Sequence, residues 1–164
     1  RSDWGARPPK RIMAAQPNRP KVFIHHAADP LPGVSHEYAE ARKHQNLHMD
    51  VRGWYDIAYN FLITPTGRIL EGRGKAVRPG ATKYENRVSY AIEFQGYFHQ
   101  PFNEQPSEVS LNACGWLIRH LIDEGYLASN VEVLGHQDSK WARTACPGDN
   151  LYPRLNDIKT IAGL

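Results

Sequence analysis

The sequence predicts an α/β fold with a central mixed β-sheet flanked by helices. Short apolar runs, which predict buried strands, alternate along the chain with amphipathic stretches, which predict helices. A turn pattern at 65–68 joins two of the strands into a hairpin, so we expect one antiparallel pair in the sheet. The length of 164 residues suits one domain, and we expect positions 1–164 to form it.

Each predicted element has a local signal. Residues 1–20 are rich in proline and arginine without periodicity, which indicates an extended N-terminal arm. Ser35 and Ser107 are typical helix N-caps, and Gly125 is a typical helix end. The predicted strands are 21–25, 57–64, 69–71, 89–95 and 131–134, and the predicted helices are 36–49, 108–124 and 153–161.

Composition and charge exclude several functional classes. The chain is 41% hydrophobic and 23% charged, a mixture typical of folded globular domains. No stretch approaches the roughly 20 apolar residues of a membrane span, so we expect no membrane insertion. Lysine and arginine are scattered and the net charge is only +3, which argues against a nucleic-acid partner. Two cysteines are too few for a disulfide scaffold. Separately, we expect a monomer as the default oligomeric state.

His25, His136 and Cys146 form a candidate metal site. His25 ends the first predicted strand and His136 follows the 131–134 strand. Ligands of open α/β sheets gather beyond the carboxyl ends of strands. Two imidazoles and a thiolate suit zinc and leave a fourth position for water. Each residue also fits an ordinary structural role, and a disulfide between Cys114 and Cys146 would consume the thiolate, so spacing alone leaves these alternatives open.

Glu93 and Tyr59 are candidates for catalysis. Glu93 lies in a largely apolar strand, where a carboxylate needs a partner. It either pairs with an arginine or passes a proton from water to a leaving amine. Tyr59 is either a core residue with a satisfied hydroxyl or a hydrogen-bond donor to a developing oxyanion.

His44 and His48 stand four residues apart on a predicted helix, as in the zincin pattern H-E-x-x-H. Gln45 replaces the glutamate, and an amide cannot serve as a general base. We therefore interpret this segment as a polar helix face, and Cys114 as a residue of the core.

Six segments carry a family resemblance. They are RSDWGARPP (1–9), FIHHAA (23–28), HQNLHMDVRGWYDIAYNFLITPTGRILEGRG (44–74), NRVSYAIEFQG (86–96), GHQDS (135–139) and TACPGDNLYP (144–153). Together they resemble the zinc-dependent N-acetylmuramoyl-L-alanine amidases, the type 2 amidase and peptidoglycan recognition protein family. The resemblance implies that family's α/β fold and a groove holding Zn²⁺. It implies cleavage of the amide between the lactyl group of N-acetylmuramic acid and L-alanine in peptidoglycan.

The resemblance also implies residue roles. The family's three zinc ligands correspond to His25, His136 and Cys146. Tyr59 matches a tyrosine of the catalytic centre, and Thr144 occupies a position where catalytic members carry Lys or Thr. Glu93 matches a glutamate that bacterial and phage amidases use near the zinc. This favours the catalytic domain of a phage endolysin or bacterial autolysin, delivered from the host cytoplasm or secreted, and acting at the bacterial cell wall.

The resemblance leaves an alternative and shows three departures, of which one is Thr144 in place of a lysine, a weaker and uncharged hydrogen-bond donor. The alternative is a non-catalytic module that binds peptidoglycan, in which the cysteine is typically replaced. A cytoplasmic amidase that recycles anhydro-muropeptides is disfavoured, because Asp usually serves there as third ligand. Cys146 follows His136 by ten positions, where about eight are usual. Thr82 stands where a histidine is frequent, so we expect any substrate contact of that histidine to be lost.

Overall fold

The computed structural model describes residues 1–15 and 18–164. The strands are β1 (Arg19–His26), β2 (Phe61–Ile63), β3 (Ile69–Glu71), β4 (Ser89–Phe94) and β5 (Leu127–Gly135). The α-helices are α1 (Glu37–Asn46), α2 (Glu108–Asp123) and α3 (Leu155–Ala162). A π-helical turn, Leu47–Val51, continues α1. Among the described residues, no helix is long and apolar enough to span a lipid bilayer.

The five strands form one mixed sheet in the order β3-β2-β4-β1-β5. β1 pairs in parallel with β4 and with β5, and β2 pairs in parallel with β4. β2 and β3 form an antiparallel hairpin. The predicted mixed sheet with helices around it is confirmed, since the sheet combines parallel and antiparallel pairs.

The two faces of the sheet are covered by different elements. The face that carries Ile24 and Ile92 packs against α2 and α3 in the main hydrophobic cluster. On the other face, Leu62 packs with Trp4 and with Ala41 of α1. Because side chains alternate along a strand, the residues that follow Ile24 and Ile92 point towards the α1 side. This alternation decides which side of the sheet can hold a polar site.

Of the two predicted helix N-caps, one is confirmed and the other is wrong. Ser107 caps α2 as predicted, since its side chain accepts a hydrogen bond from the N–H of Ser110. Ser35 does not cap α1: it lies in a 3-10 turn, Val34–His36, and the capping position is His36, without a side-chain cap.

The strand predicted over 57–64 is shorter in the structure, where β2 spans only Phe61–Ile63. The carbonyl of Tyr59 accepts the N–H of Arg73, and the carbonyl of Asn60 accepts the N–H of Gly72. Asn60 also donates its N–H to the carbonyl of Ala91 on β4 at 2.9 Å. The residues just before β2 are therefore bonded both to the loop after β3 and to β4.

The N-terminal segment predicted as an extended arm over 1–20 contains a turn and packs on the body of the protein. Ser2–Trp4 forms a 3-10 turn, and the buried indole of Trp4 donates a hydrogen bond to the carbonyl of Glu71 at 3.0 Å. Arg1 pairs with the buried carboxylate of Asp56 at 2.8 Å. Positions 16 and 17 lie outside the described residues.

The interpretation of 44–48 as a polar helix face is wrong, because His44, Gln45 and His48 are all buried. Gln45 accepts a hydrogen bond from the N–H of Arg7 and donates to Asp56, so the N-terminal segment covers this face. His48 accepts the N–H of Ala58 through Nδ1 at 3.2 Å. Polar residues are buried here because distant parts of the chain supply their hydrogen bonds.

We expect His48 to make the protein less stable in mild acid. Burial lowers the pKa of His48 to about 4, and the positive charges of His44 and Arg52 contribute. An unfolded histidine has a pKa of about 6.5. Between pH 6.5 and pH 4 the His48 ring is therefore mostly protonated in the unfolded chain and mostly neutral in the folded chain. The free energy of unfolding falls as the pH drops towards 4, by about 1–2 kcal/mol between pH 7 and pH 5 from this group.

Urea unfolding at pH 7 and pH 5 tests this expectation. His48→Asn keeps an acceptor for Ala58 but cannot take up a proton, so its stability should fall less between the two pH values than the parent's. His36→Asn, at an exposed position, controls for the loss of a histidine as such. An identical pH dependence of the parent and His48→Asn would contradict the assignment.

Candidate active site

Three predicted ligands meet at the carboxyl ends of β1 and β5. Ile24 pairs with Gly135, so the next residues on the two strands, His25 and His136, lie side by side. Their ring centroids are 4.5 Å apart. The Sγ of Cys146 lies 3.8 Å from Nδ1 of His25. One donor atom from each of the three residues lies within 4.8 Å of the others, which is close enough for them to share one metal ion.

Thr82 orients the His25 ring. Its Oγ1 lies 3.1 Å from Nε2 of His25, and both side chains are buried. If Nε2 donates its proton to this hydroxyl, Nδ1 carries the lone pair and faces Cys146. Thr82 is itself held, since its N–H donates to Oδ1 of Asn86 at 3.0 Å. The sequence pointed only to the histidine that this position lacks, whereas the structure shows what the threonine contacts.

The loop that carries Cys146 is tightly connected to its surroundings. The N–H of Cys146 donates to Oγ1 of Thr144 at 3.1 Å, and its Sγ accepts the N–H of His26 at 3.4 Å. Only glycine fits at position 135, because a Cβ there would lie 2.8 Å from Cδ of Pro147. Cys114 is a free thiol in the core and Cys146 is also free, so they form no disulfide.

Burial sets the protonation of the three ligands. It lowers the pKa of His25 well below its ordinary value, and the neighbouring His136 and His26 add to the effect. Burial also lowers the pKa of His136. It raises the pKa of the Cys146 thiol to about 12. The two imidazoles are therefore neutral at pH 7, which is the form that coordinates a metal.

Glu93 lies beside this centre with its side chain 1% exposed. It is the register partner of His25 on β1 and of Leu62 on β2. Its carboxylate meets Nδ1 of His44 at 2.8 Å, so the partner is a histidine and not the arginine that we considered from the sequence. This contact joins α1 to the sheet beside the candidate metal ligands.

Tyr59 lies half-buried between His25 and His48, with its ring centroid 5.3 Å from that of His25. Burial and the negative charge of Glu93 raise the pKa of the Tyr59 hydroxyl well above its ordinary value, and a hydrogen bond with Glu93 adds to this. The hydroxyl therefore remains protonated, with its proton directed at the Glu93 carboxylate. The predicted Thr144, by contrast, is exposed at the edge of the site.

The far side of His44 faces two more carboxylates. Its Nε2 lies 3.0 Å from Asp29 and 3.1 Å from Glu40, and Lys43 contacts the same two residues. Burial opposes a charge on His44, but Glu93, Glu40 and Asp29 outweigh it and raise the pKa of His44 to about 11. His44 and His48 therefore do not act as a pair, since His48 is neutral and bonded to Ala58.

A groove of about 680 Å³ is connected to the site through Asn86, which lines the groove and accepts the N–H of Thr82. Its lining includes Trp54 and Tyr55 on one side and Arg78, Tyr84 and Arg87 on the loop that also carries Thr82. Aromatic rings and guanidinium groups together suit a ligand with both apolar surface and carboxylates.

Sequence reasoning missed Thr82 as a partner of His25 and His44 as a partner of Glu93. Neither residue has a local signal in the sequence. The contact between Thr82 and His25 joins side chains 57 positions apart, and the contact between His44 and Glu93 joins side chains 49 positions apart. A buried glutamate does call for a cation, but the sequence alone could not say which one.

Comparisons with known proteins agree on one family. A family model described as N-acetylmuramoyl-L-alanine amidase matches residues 16–149. Mouse peptidoglycan recognition protein 1 is 35% identical over 154 residues, covering 93% of this chain and 82% of its own. Drosophila melanogaster peptidoglycan-recognition protein LB is 34% identical over 161 residues, covering 95% of this chain and 66% of its own.

A solved structure supports the same relationship. Peptidoglycan recognition protein LE, in complex with tracheal cytotoxin (monomeric diaminopimelic acid-type peptidoglycan), superposes with a TM-score of 0.87 at 32% sequence identity. The match covers 98% of this chain and 91% of that one. The order of the strands, the polar site at their ends and the extent of these matches lead to one conclusion: the chain belongs to the N-acetylmuramoyl-L-alanine amidase family, together with its relatives the peptidoglycan recognition proteins.

Proposed function

We propose that this protein is a zinc hydrolase that cleaves the amide between the lactyl group of N-acetylmuramic acid and L-alanine in peptidoglycan. The observation that carries the proposal is the convergence of His25, His136 and Cys146. The proposal treats positions 1–164 as one catalytic domain that acts as a monomer at the bacterial cell wall. An origin as a phage endolysin or bacterial autolysin stays a prediction, since the relatives reported above are animal recognition proteins.

The donor set fits zinc. Zn–N bonds of about 2.0–2.1 Å and a Zn–S bond of about 2.3 Å in a tetrahedron place the nitrogen and sulfur about 3.5 Å apart. Nδ1 of His25 and Sγ of Cys146 are 3.8 Å apart. A hydrogen bond from a ligand histidine to a neighbouring group is typical of metal sites, and Thr82 provides one. When bound, zinc supplies Lewis acidity and lowers the pKa of water at the site to about 7.

Glu93 acts as the proton carrier in this proposal. It takes a proton from the attacking water and delivers it to the alanine nitrogen as the amide bond breaks. Its place beside His25 in the sheet puts the carboxylate next to the metal centre. The near absence of exposure suits a group that must exchange protons only with the substrate and its water.

Tyr59 and Thr144 serve as donors to the carbonyl oxygen as negative charge develops on it. Tyr59 is protonated and lies close to His25, and in this proposal its hydroxyl turns from Glu93 to a carbonyl held beside His25. Thr144 already accepts a hydrogen bond from the N–H of Cys146, which leaves its own proton free to donate. Neutral donors of this kind stabilise a developing oxyanion in many hydrolases.

The second candidate function is recognition of peptidoglycan without cleavage. The relatives are named as recognition proteins, and one is solved with a peptidoglycan fragment. The groove beside Thr82 supports binding of a muramyl peptide in either case. A thiol ligand and a buried glutamate beside two neutral imidazoles favour hydrolysis, because binding alone needs neither.

Cys146→Ala decides between the two functions. We expect this variant to lose its zinc and to stop releasing stem peptides, because only two protein ligands remain. Zinc per chain is measured by elemental analysis, and free stem peptides are measured by mass spectrometry of digested peptidoglycan. Chelation of the parent protein should abolish release, and added zinc should restore it.

Cys114→Ala is the matched control, since Cys114 is the other buried thiol and lies in the core away from the site. It should keep its zinc and its activity. Release of stem peptides by Cys146→Ala at the parent rate would contradict the zinc assignment. A parent protein that binds peptidoglycan but never releases peptides would favour recognition.

Tyr59→Phe should lower turnover by about 10²–10³-fold, the usual cost of removing one oxyanion donor. The ring remains, so we expect the fold and the zinc content to be unchanged. Tyr38→Phe is the matched control, because Tyr38 packs against the same small hydrophobic cluster from α1. Steady-state hydrolysis of a soluble muramyl peptide measures both variants, and equal turnover in Tyr59→Phe and the parent would remove Tyr59 from the mechanism.

A further inference from the structure

We propose that His44 is a positioning residue, an imidazolium bridge that holds the Glu93 carboxylate through Nδ1 while Asp29 and Glu40 hold Nε2. The inference rests on the proposed hydrolysis and deepens it, because it explains how a buried carboxylate beside the metal centre is kept in one orientation.

Both ring nitrogens of His44 face carboxylate oxygens. Nδ1 lies 2.8 Å from Glu93, and Nε2 lies 3.0 Å from Asp29 and 3.1 Å from Glu40. An ionised carboxylate only accepts hydrogen bonds, so beside ionised partners both nitrogens must donate, and a histidine that donates from both nitrogens is a cation. With three carboxylates around one ring, the geometry points to the imidazolium form.

The positive charge of His44 also offsets the free-energy cost of burying the Glu93 carboxylate. A carboxylate that is 1% exposed needs a charge partner, and no lysine or arginine among the described residues forms an ion pair with Glu93. His44 is itself 3% exposed and fills that place. The ion pair between His44 and Glu93 restricts the motion of both side chains, because charge-assisted hydrogen bonds are short and directional.

Asp29 and Glu40 act on the other end of the ring. Lys43 lies 3.1 Å from Asp29 and 3.2 Å from Glu40, so two carboxylates sit between two cations. His44 is therefore clamped from the loop after β1 and from within α1, while it reaches across to β4. The ring cannot rotate away from Glu93 without breaking contacts at Nε2.

Asp29, Glu40 and His44 are also close enough to hold a metal ion. We favour the positioning role because their donor atoms are already engaged: Lys43 occupies both carboxylates, and Nε2 carries a proton instead of a lone pair. A second bound metal would displace these contacts, so metal stoichiometry distinguishes the two.

His44→Gln tests the role, since glutamine can still donate one hydrogen bond but carries no charge. We expect kcat for a soluble muramyl peptide to fall about 10–100-fold, the usual effect of losing a partner that orients a residue beside a metal centre. KM should change little, and zinc should stay at one ion per chain, because His44 touches none of the three ligands. His120→Gln, on the exposed face of α2, is the control and should retain parent activity.

A double-mutant cycle separates positioning from a general loss of structure. In a Glu93→Gln background, His44→Gln should cost almost nothing further, because the group it positions is gone. A purely structural role would lower activity by the same factor in both backgrounds. Asp29→Asn provides a milder variant if His44→Gln folds poorly: it removes one of the negative charges beside Nε2 and should lower kcat less, again only when Glu93 is present.

The protonation of His44 gives a readout that needs no substrate and no metal. In the metal-free protein at pH 8, ¹⁵N NMR should show both ring nitrogens of His44 protonated. A neutral ring, a second zinc ion per chain, or equal losses in the two backgrounds of the cycle would each overturn the positioning role while the hydrolase proposal stands. A parent protein without hydrolysis would remove both.

Discussion

Parallel pairing of β1 with β4 on one side and β5 on the other is the constraint on which the site depends. The register places His25 opposite Glu93 and one residue beyond the pairing of Ile24 with Gly135. Alternation along the strands then turns His25 and Glu93 away from the face that α2 and α3 cover. A slip of one residue would send these side chains into the main core, where a charge could not be accommodated.

Burial lowers the pKa of both His25 and His44, and the partners of each ring decide whether the net shift is downwards or upwards. His25 has another histidine and a thiol beside it, so desolvation is unopposed and the ring stays neutral. His44 is equally buried but faces three carboxylates, so their attraction exceeds the desolvation cost. Neutral rings are suited to hold a metal, and the charged ring is suited to hold an anion. The two kinds of site lie side by side, linked by Glu93.

The fold is shared with proteins whose names describe recognition, and the chemistry that distinguishes cleavage lies in a few side chains. The groove and the sheet are compatible with either proposed function, cleavage or recognition. Thr82 stands where the family frequently has a histidine, and in this structure it contacts the buried His25. The extra residues between His136 and Cys146 leave the sulfur within 3.8 Å of His25.

The mixed α/β fold, the hairpin and the Ser107 cap could be predicted from the sequence, and so could the three residues that meet at the candidate metal site. Those features follow from local periodicity, turn chemistry and motifs that lie within short segments. The burial of the 44–48 face, the pairing of Glu93 with His44 and the contact of Thr82 with His25 become visible only in the folded protein. Such contacts join side chains tens of positions apart, and a buried charge selects its partner by proximity in space, which no short stretch of sequence encodes.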